Sequence, residues 1–440
     1  MPATANAIEG FEIEAAAAVL MDAETGEVFF SKSAHVSLPP ASTTKLMAVL
    51  IAVEAIEAGT VAPEDRVTAS DRARFDLTFD SSTANIQPGE IMSLEDLLYC
   101  ALVVSANEAC NIIGEYISGD IESFVALMNR RAGELGCSDT NFANTHGLPN
   151  ESHYTSAYDL ALIAREALRH PTLVKIANTV KYTIPATNLS GERAIRTTNY
   201  LLREETPQYY YADAVGLKTG YTGAAGHCLV SSASKSGMSV VSVVLGAAAP
   251  EVEKGVFITE SFTETRRMFQ WFFANYGYKD ILKSSELIDS VEVRLGKGAD
   301  QVVIHPESGI RIILPNDVAP EEVFVRTVGY DAEGEPGSET VTAPVARGQR
   351  LGEITLTYNG KVYGPVPLVA NSNVELDRWA YLADQAGKTL DKAWIKVTFG
   401  VVVLLFGLYL YLAARRSVRI RRLKRAQARK RPERVVYRDD

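Results

Sequence analysis

From Val397 to Ala414 the chain runs for 18 residues without a charge, VTFGVVVLLFGLYLYLAA. That is close to the ~20 apolar residues a helix needs to cross a bilayer. A buried core helix is seldom followed at once by a cluster such as Arg415, Arg416, Arg419, Arg421, Arg422, Lys424 and Arg425. Trp394 precedes the run, and Tyr409 and Tyr411 lie near its far end, where aromatic residues meet a membrane–water interface. Positive charge stays on the cytoplasmic side. The pattern predicts a spanning helix over 397–414, a cytoplasmic tail over 415–440, and the bulk of the chain on the outer side of the membrane.

The charge divides at the same place. Residues 415–440 carry twelve Lys/Arg against three Asp/Glu, so the formal −10 of the whole chain becomes −19 for residues 1–414. An acidic body with a basic juxtamembrane tail argues against nucleic-acid binding. A body outside the membrane needs export. Residues 1–7, MPATANA, lack a basic start and an apolar run, yet Ala5-Asn6-Ala7 has the small-x-small form that precedes signal cleavage. An upstream export signal is therefore expected. Cys100, Cys110, Cys137 and Cys228 form no C-x-x-C, and the six histidines form no H-E-x-x-H, so neither metal nor cofactor is expected. Apolar neighbours suggest buried free thiols.

At 440 residues the chain is long enough for two or three domains. Ala15–Met21 and Glu27–Ser31 read as strands around a turn closed by Gly26. Leu46–Ile56 is apolar nearly all round and predicts a helix buried in a core. Ser93 with Asp96, Asp120, and Ser156 with Asp159 mark the starts of three further helices. Strand patterns return at Val180–Ile184, at Leu217–Thr219 ending at Gly220, and in a hairpin about Ser236-Gly237. An aromatic helix over Phe262–Tyr276, closed by Gly277, follows. Strands at both ends with helices between predict an α+β fold, an antiparallel sheet with helices on its faces. Short alternating runs from Leu282 to Leu376 predict a small all-β sandwich or barrel-like module. The expected boundaries are 1–278, 279–376 for the β spacer, a linker at 377–396, then the membrane helix and tail.

Three short pieces carry chemistry: Ser42-Thr43-Thr44-Lys45, Ser105-Ala106-Asn107 and Lys218-Thr219-Gly220. Each alone is most often a cap, a turn or a strand end. In this order they match S-x-x-K, S-x-N and K-T-G. A serine hydroxyl needs a base within hydrogen-bond reach. Residues three apart on a helix share a face, about 5–6 Å between Cβ atoms, which puts Lys45 beside Ser42.

The chain thus resembles the penicillin-recognising serine acyltransferases, and with its β module a low-molecular-mass penicillin-binding protein, a serine-type D-alanyl-D-alanine carboxypeptidase. Asn144-Thr145-His146-Gly147-Leu148, Tyr154–Asp159 and Lys218-Thr219-Gly220-Tyr221-Thr222 also resemble segments of that family. The resemblance implies a β-lactamase/transpeptidase-like catalytic domain and roles residue by residue. Ser42 would attack the carbonyl between two D-alanines of a peptidoglycan stem peptide, and β-lactam antibiotics would acylate it. Lys45 would be the base, its pKa lowered by desolvation and by Lys218 as a second cation. Ser105 would relay a proton to the leaving amine. Asn107 would orient Lys45 and hold a substrate amide. Lys218, Thr219 and Thr222 would recognise the terminal carboxylate. Gly220 would let the strand edge approach the substrate. The backbone N–H groups of Ser42 and Tyr221 would form the oxyanion hole. His146 lies where a lid could form, or is a hydrogen-bonded turn histidine. Two departures stand out: alanine at the centre of the second motif, and a spanning helix where many relatives carry an amphipathic one. A DD-endopeptidase on the same fold and a catalytically idle wall-binding scaffold are the alternative readings.

Overall fold

The computed structural model describes residues 11–331, 333 and 336–428. Ala5-Asn6-Ala7 and the tail from residue 429 lie outside the described residues. The chain divides into two compact units. One holds the chain up to Lys279 together with Ile312–Pro320, the other Asp280–Arg311 and the chain from Glu321 onward.

The first unit is built on a five-stranded sheet. Its strands are β1 (Ala17–Asp22), β2 (Val28–Lys32), β3 (Ala214–Thr222), β4 (Gly226–Lys235) and β5 (Met238–Ala247), in the order β2-β1-β5-β4-β3. Every neighbour is antiparallel. Alternation along the strands splits the apolar side chains into two layers. Val19, Val230, Val241, Val243 and Leu245 face one core; Leu20, Leu229, Val240 and Val244 face the other.

The first core is filled by helices. α1 (Lys45–Glu57) has every residue from Leu46 to Val53 no more than 5% exposed, as its unbroken apolar run demands. Around it pack α2 (Leu94–Leu102), α3 (Asn107–Ser118), α4 (Ile121–Glu134) and α5 (Ala157–Ala167). The caps are those read from the sequence: Ser93, Asp120 and Ser156 accept the backbone N–H groups of Asp96, Ser123 and Asp159. The second core is closed by α6 (Glu260–Asn275), through Phe262, Met268, Phe269 and Phe272.

Two details of this first unit depart from the expectations. β3 continues past Gly220 to Thr222, because Tyr221 and Thr222 stay paired with His227 and Gly226. α6 does not end on a left-handed Gly277; Tyr276 turns extended (φ −122°, ψ 150°) and the chain passes directly into the strand Tyr276–Leu282.

In the second unit a six-stranded sheet is formed by β6 (Asp289–Arg294), β7 (Gln301–Pro306), β8 (Val325–Tyr330), β9 (Thr340–Thr342), β10 (Arg350–Tyr358) and β11 (Lys361–Ala370). The order is β8-β10-β11-β7-β6-β9, antiparallel except for β6 with β9. The stretch read as a linker is largely helical. α7 (Arg378–Leu390) begins on an Asp377 cap, and α8 (Ala393–Ala428) runs without a break through Val397–Ala414 and into the basic cluster. Over Ala393–Gln427 this helix is long and apolar enough to cross a membrane, with none of its most apolar stretch buried in the chain.

Candidate active site

Ser42 sits in a single 3-10 turn, Ala41–Thr44, entered through Pro39-Pro40 and leading straight into α1. The turn is closed by its own hydroxyls: Thr43 Oγ1 donates to the Pro40 carbonyl at 2.6 Å and Thr44 Oγ1 to the Ala41 carbonyl at 2.8 Å. Thr44 Oγ1 also meets His153 Nε2 at 2.8 Å, while His153 Nδ1 accepts the Ala143 N–H at 2.8 Å. A ring nitrogen that accepts carries no proton, so His153 is neutral and donates from Nε2. Burial drives its pKa down to about 3, which keeps it so.

Lys45 is fully buried, and its Nζ lies 2.7 Å from Ser42 Oγ and 2.8 Å from the His146 carbonyl. That carbonyl is held by a compact turn. Asn144 Oδ1 accepts the N–H groups of His146 and Gly147, and Asn144 Nδ2 donates to Leu148 O. Gly147 has φ +94°, and a Cβ there would stand 1.8 Å from Ala41 O. Only glycine permits this contact. His146 itself is buried, its ring on Asp76 at 3.0 Å. It is the hydrogen-bonded turn histidine, and its main chain rather than its ring reaches the site.

The second motif joins α2 to α3. Ser105 adopts φ +65°, a left-handed conformation that non-glycine residues rarely take, and is 4% exposed. Asn107 opens α3 and donates its backbone N–H to Ser82 O at 2.9 Å. Its side-chain Oδ1 is buried without a hydrogen-bond partner among the described residues. The sequence reading has Asn107 orienting Lys45; in the structure the two contacts that orient Lys45 are Ser42 and His146, and the Asn107 oxygen stays unpartnered.

The third motif reaches the site through a bulge. On β3, Gly216 pairs with Ser231 but Lys218 pairs with Val230, so Leu217 is the extra residue. Paired residues of an antiparallel ladder point to the same face. Val230 and Cys228 belong to the core that holds α1, so Lys218 and Gly220 face α1. Without the extra residue Lys218 would oppose Leu229 and face the other core. Gly220 then lies against the turn that carries Ser42: a Cβ would stand 3.0 Å from Ser42 N and 3.1 Å from Thr43 N. A side chain there would crowd that turn, so glycine suits the close approach of two backbones.

Lys218 is 1% exposed, and its Nζ donates to Thr219 O at 2.8 Å. Thr219 Oγ1 meets Thr198 Oγ1 at 2.5 Å, Thr222 Oγ1 accepts the Ala225 N–H at 3.1 Å, and Tyr221 is 62% exposed and stacked on His227. Burial lowers the Lys45 pKa to about 8, against nearby Cys110 and Glu108, which raise it. Burial also pushes Lys218 well below the ordinary lysine value, and the nearby Lys45 charge adds to that. The sequence reading gave the second cation a share in depressing Lys45; burial is the dominant cause, and the repulsion is felt at Lys218. His153, the His146 carbonyl, Gly147 and the bulge at Leu217 were missed as parts of the site.

A family model described as D-alanyl-D-alanine carboxypeptidase matches residues 3–249, more than half the chain. A second, described as penicillin-binding protein 5, C-terminal domain, matches residues 276–376. The chain is 31% identical over 369 residues to D-alanyl-D-alanine carboxypeptidase DacF of Bacillus subtilis, covering 82% of this chain and 86% of that protein. It is 28% identical to D-alanyl-D-alanine carboxypeptidase DacC of Escherichia coli, covering 85% and 87%. Among solved structures it resembles penicillin binding protein 5 of Haemophilus influenzae, with a TM-score of 0.61 and 27% identity over 84% of this chain and all of that one.

Two outcomes follow from this geometry. Gly220→Ala forces the turn carrying Ser42 to shift by a few tenths of an ångström; acylation by a fluorescent penicillin should slow by roughly 10- to 100-fold, with the melting temperature little changed. A rate equal to wild type would remove Gly220 from the site. If Lys45 must be neutral to act, its base form grows as pH rises through about 8. Acylation should then climb with pH to a plateau, with roughly a tenth of the plateau rate one pH unit below the midpoint. A rate that falls from neutral to alkaline pH would contradict a neutral lysine base.

Proposed function

This chain belongs to the D-alanyl-D-alanine carboxypeptidase family, and on that premise we propose that Ser42 is its nucleophile, Lys45 its base and Lys218 its carboxylate anchor. It is a serine-type hydrolase of the penicillin-binding kind, acting in peptidoglycan processing. The observation that carries the residue assignment is the 2.7 Å contact of Lys45 Nζ with Ser42 Oγ in a fully buried setting.

In the proposed reaction, neutral Lys45 accepts the Ser42 proton as Oγ attacks the carbonyl between the two terminal D-alanines. The backbone N–H groups of Ser42 and Tyr221 hold the developing oxyanion. Such a donor is worth ~2.7–4 kcal/mol. Lys45 returns the proton through Ser105 to the amine of the departing D-Ala. The acyl group then leaves Ser42 to water. Asn107, with its unpartnered Oδ1, holds a substrate amide N–H. Lys218, with the Thr219 and Thr222 hydroxyls, takes the free carboxylate. The extent assigned to the catalytic domain is 1–278, followed by the β spacer, 279–376.

The carboxylate anchor selects the reaction. A second residue beyond the cut would carry the carboxylate about 3.3–3.6 Å further away. The enzyme should release one D-Ala from a pentapeptide ending in D-Ala-D-Ala, and Ser42→Ala should abolish both that release and penicillin labelling. Amidating the terminal carboxylate should cost roughly 10- to 100-fold, the ~1.5–3 kcal/mol of a charged hydrogen bond. Equal cleavage of free-acid and amidated peptides would point to an endopeptidase. Failure of the wild type to label would point to an idle scaffold.

For orientation, the basic cluster from Arg415 supports a cytoplasmic tail, with Val397–Ala414 in the bilayer and the catalytic unit outside. Protease added to intact cells should digest the catalytic unit and spare an epitope placed after Asp440. Loss of that epitope in unbroken cells would reverse the orientation.

A further inference from the structure

Between Asp71 and Glu90 the chain forms neither helix nor strand, and one face of α3 holds this connection down. Glu108, Asn111 and Glu115 are spaced three and four apart, so their side chains share that face. Glu108 Oε1 accepts Thr83 Oγ1 at 2.6 Å and Ala84 N at 2.8 Å, and Glu115 Oε2 accepts Ser70 Oγ at 2.7 Å. Asn111, between them and fully buried, reaches a second segment as well. Its Nδ2 lies 3.3 Å from the Ala73 carbonyl and 3.3 Å from the Phe75 carbonyl, and its Oδ1 lies 2.6 Å from Thr145 Oγ1. Carbonyls only accept, so the amide nitrogen spends both hydrogens on them, and the Thr145 hydroxyl donates to the amide oxygen. Both arms end at His146. Thr145 precedes it in the chain, and the His146 carbonyl accepts from Lys45 Nζ at 2.8 Å. On the other arm Asp76 follows Phe75, and its Oδ1 lies 3.0 Å from His146 Nε2. The contacts close a circuit from Asn111 through Phe75, Asp76, the His146 ring and Thr145 back to Asn111.

We propose that Asn111 is a positioning residue for the Ser42 reaction: its one amide fixes His146 from both sides and so sets where Lys45 Nζ rests against Ser42 Oγ. This deepens, and rests on, the assignment of Lys45 as the base. A neutral amine has two hydrogens and one lone pair. Donating to a carbonyl that cannot move restricts how the amine turns, and that is what lets its lone pair face the Ser42 hydroxyl 2.7 Å away. Asn144 shapes the turn that carries the carbonyl from within, through His146, Gly147 and Leu148. Asn111 ties the same turn to a helix, one turn after Asn107 on α3, so the acceptor of the base and the second motif keep one spacing. Asn111, Thr145 and His146 are all fully buried. A polar group there that loses its partner has no solvent to turn to, so removing either end of the Asn111–Thr145 bond leaves the other unsatisfied and the turn free to shift.

The test uses the full chain in detergent micelles and a fluorescent penicillin. It reads two quantities: the acylation rate constant at saturating penicillin, and the fraction of molecules labelled at the end. Asn111→Leu keeps the volume and removes both arms. Thr145→Val keeps the shape and removes only the arm through Thr145, whereas Thr145→Ser keeps the hydroxyl. The rate constant should fall roughly 10- to 100-fold in Asn111→Leu and about 10-fold in Thr145→Val, because a small misplacement of the base is costly. The labelled fraction should stay near that of wild type, and Thr145→Ser should recover most of the rate. A labelled fraction that falls while the rate constant holds is the mark of a purely structural role and overturns the proposal. So does Thr145→Val acylating at the wild-type rate constant, or Thr145→Ser as slow as Thr145→Val. The two Thr145 variants decide the matter if Asn111→Leu does not fold. Wild-type protein that fails to acylate would overturn the Ser42–Lys45 reading itself, and this inference with it.

Discussion

A fully buried lysine amine, 2.7 Å from a serine hydroxyl and 2.8 Å from a backbone carbonyl, is what the rest of the first unit is built around. Taking an ammonium out of water is expensive, and the group answers by giving up its proton more readily. The surroundings are arranged so that the amine stays in place when it does. α1 is buried from Lys45 to Val53, so its first residue cannot swing into solvent. The Asn144–Leu148 turn fixes the His146 carbonyl, and Gly147 and Gly220 let two backbones close on the 3-10 turn, where a Cβ at the first would collide and one at the second would crowd. Each contact removes a freedom that the serine or lysine would otherwise have.

Lys218 depends on a different constraint. A strand alternates faces strictly, so a single extra residue inverts everything beyond it. The bulge at Leu217 does this on β3: it leaves Ala214 in the core of α6 and turns Lys218 and Gly220 towards α1. The strand therefore serves two cores along one length, and its second half becomes one wall of the site.

Much of this was legible in the chain. The caps at Ser93, Asp120 and Ser156, the apolar run Leu46–Val53 of α1 and the hairpin at Ser236-Gly237 are local signals, and local signals survive folding when tertiary packing agrees with them. The Ser42–Lys45 contact was legible for the same reason, since three residues span it. What was not legible is what depends on pairing between distant segments. Nothing in the letters around Leu217 marks a bulge; it is defined by the offset between Ser231 and Val230 on the partner strand. The Gly277 stop was misread because a glycine after a helix is a common left-handed cap, whereas here the extended Tyr276 feeds a strand. His153 and Glu108 look like ordinary turn and helix residues until the structure places them against Thr44 and residues 83–86.

The charges of the site follow one logic. Two lysines, Lys45 and Lys218, are buried almost completely. Both ammonium groups cannot be accommodated cheaply in so buried a place, and Lys218 is held well below its ordinary value by burial and by the nearby Lys45 charge. A substrate that brings a carboxylate to Lys218 supplies the missing anion. It favours the protonated form of Lys218 and, because the two lysines repel, favours the neutral form of Lys45 beside Ser42. On the proposed assignment, binding a free C-terminal carboxylate and readying the base are thus one electrostatic event. A ligand without that carboxylate forfeits more than a contact, because it leaves the proton distributed less favourably for attack.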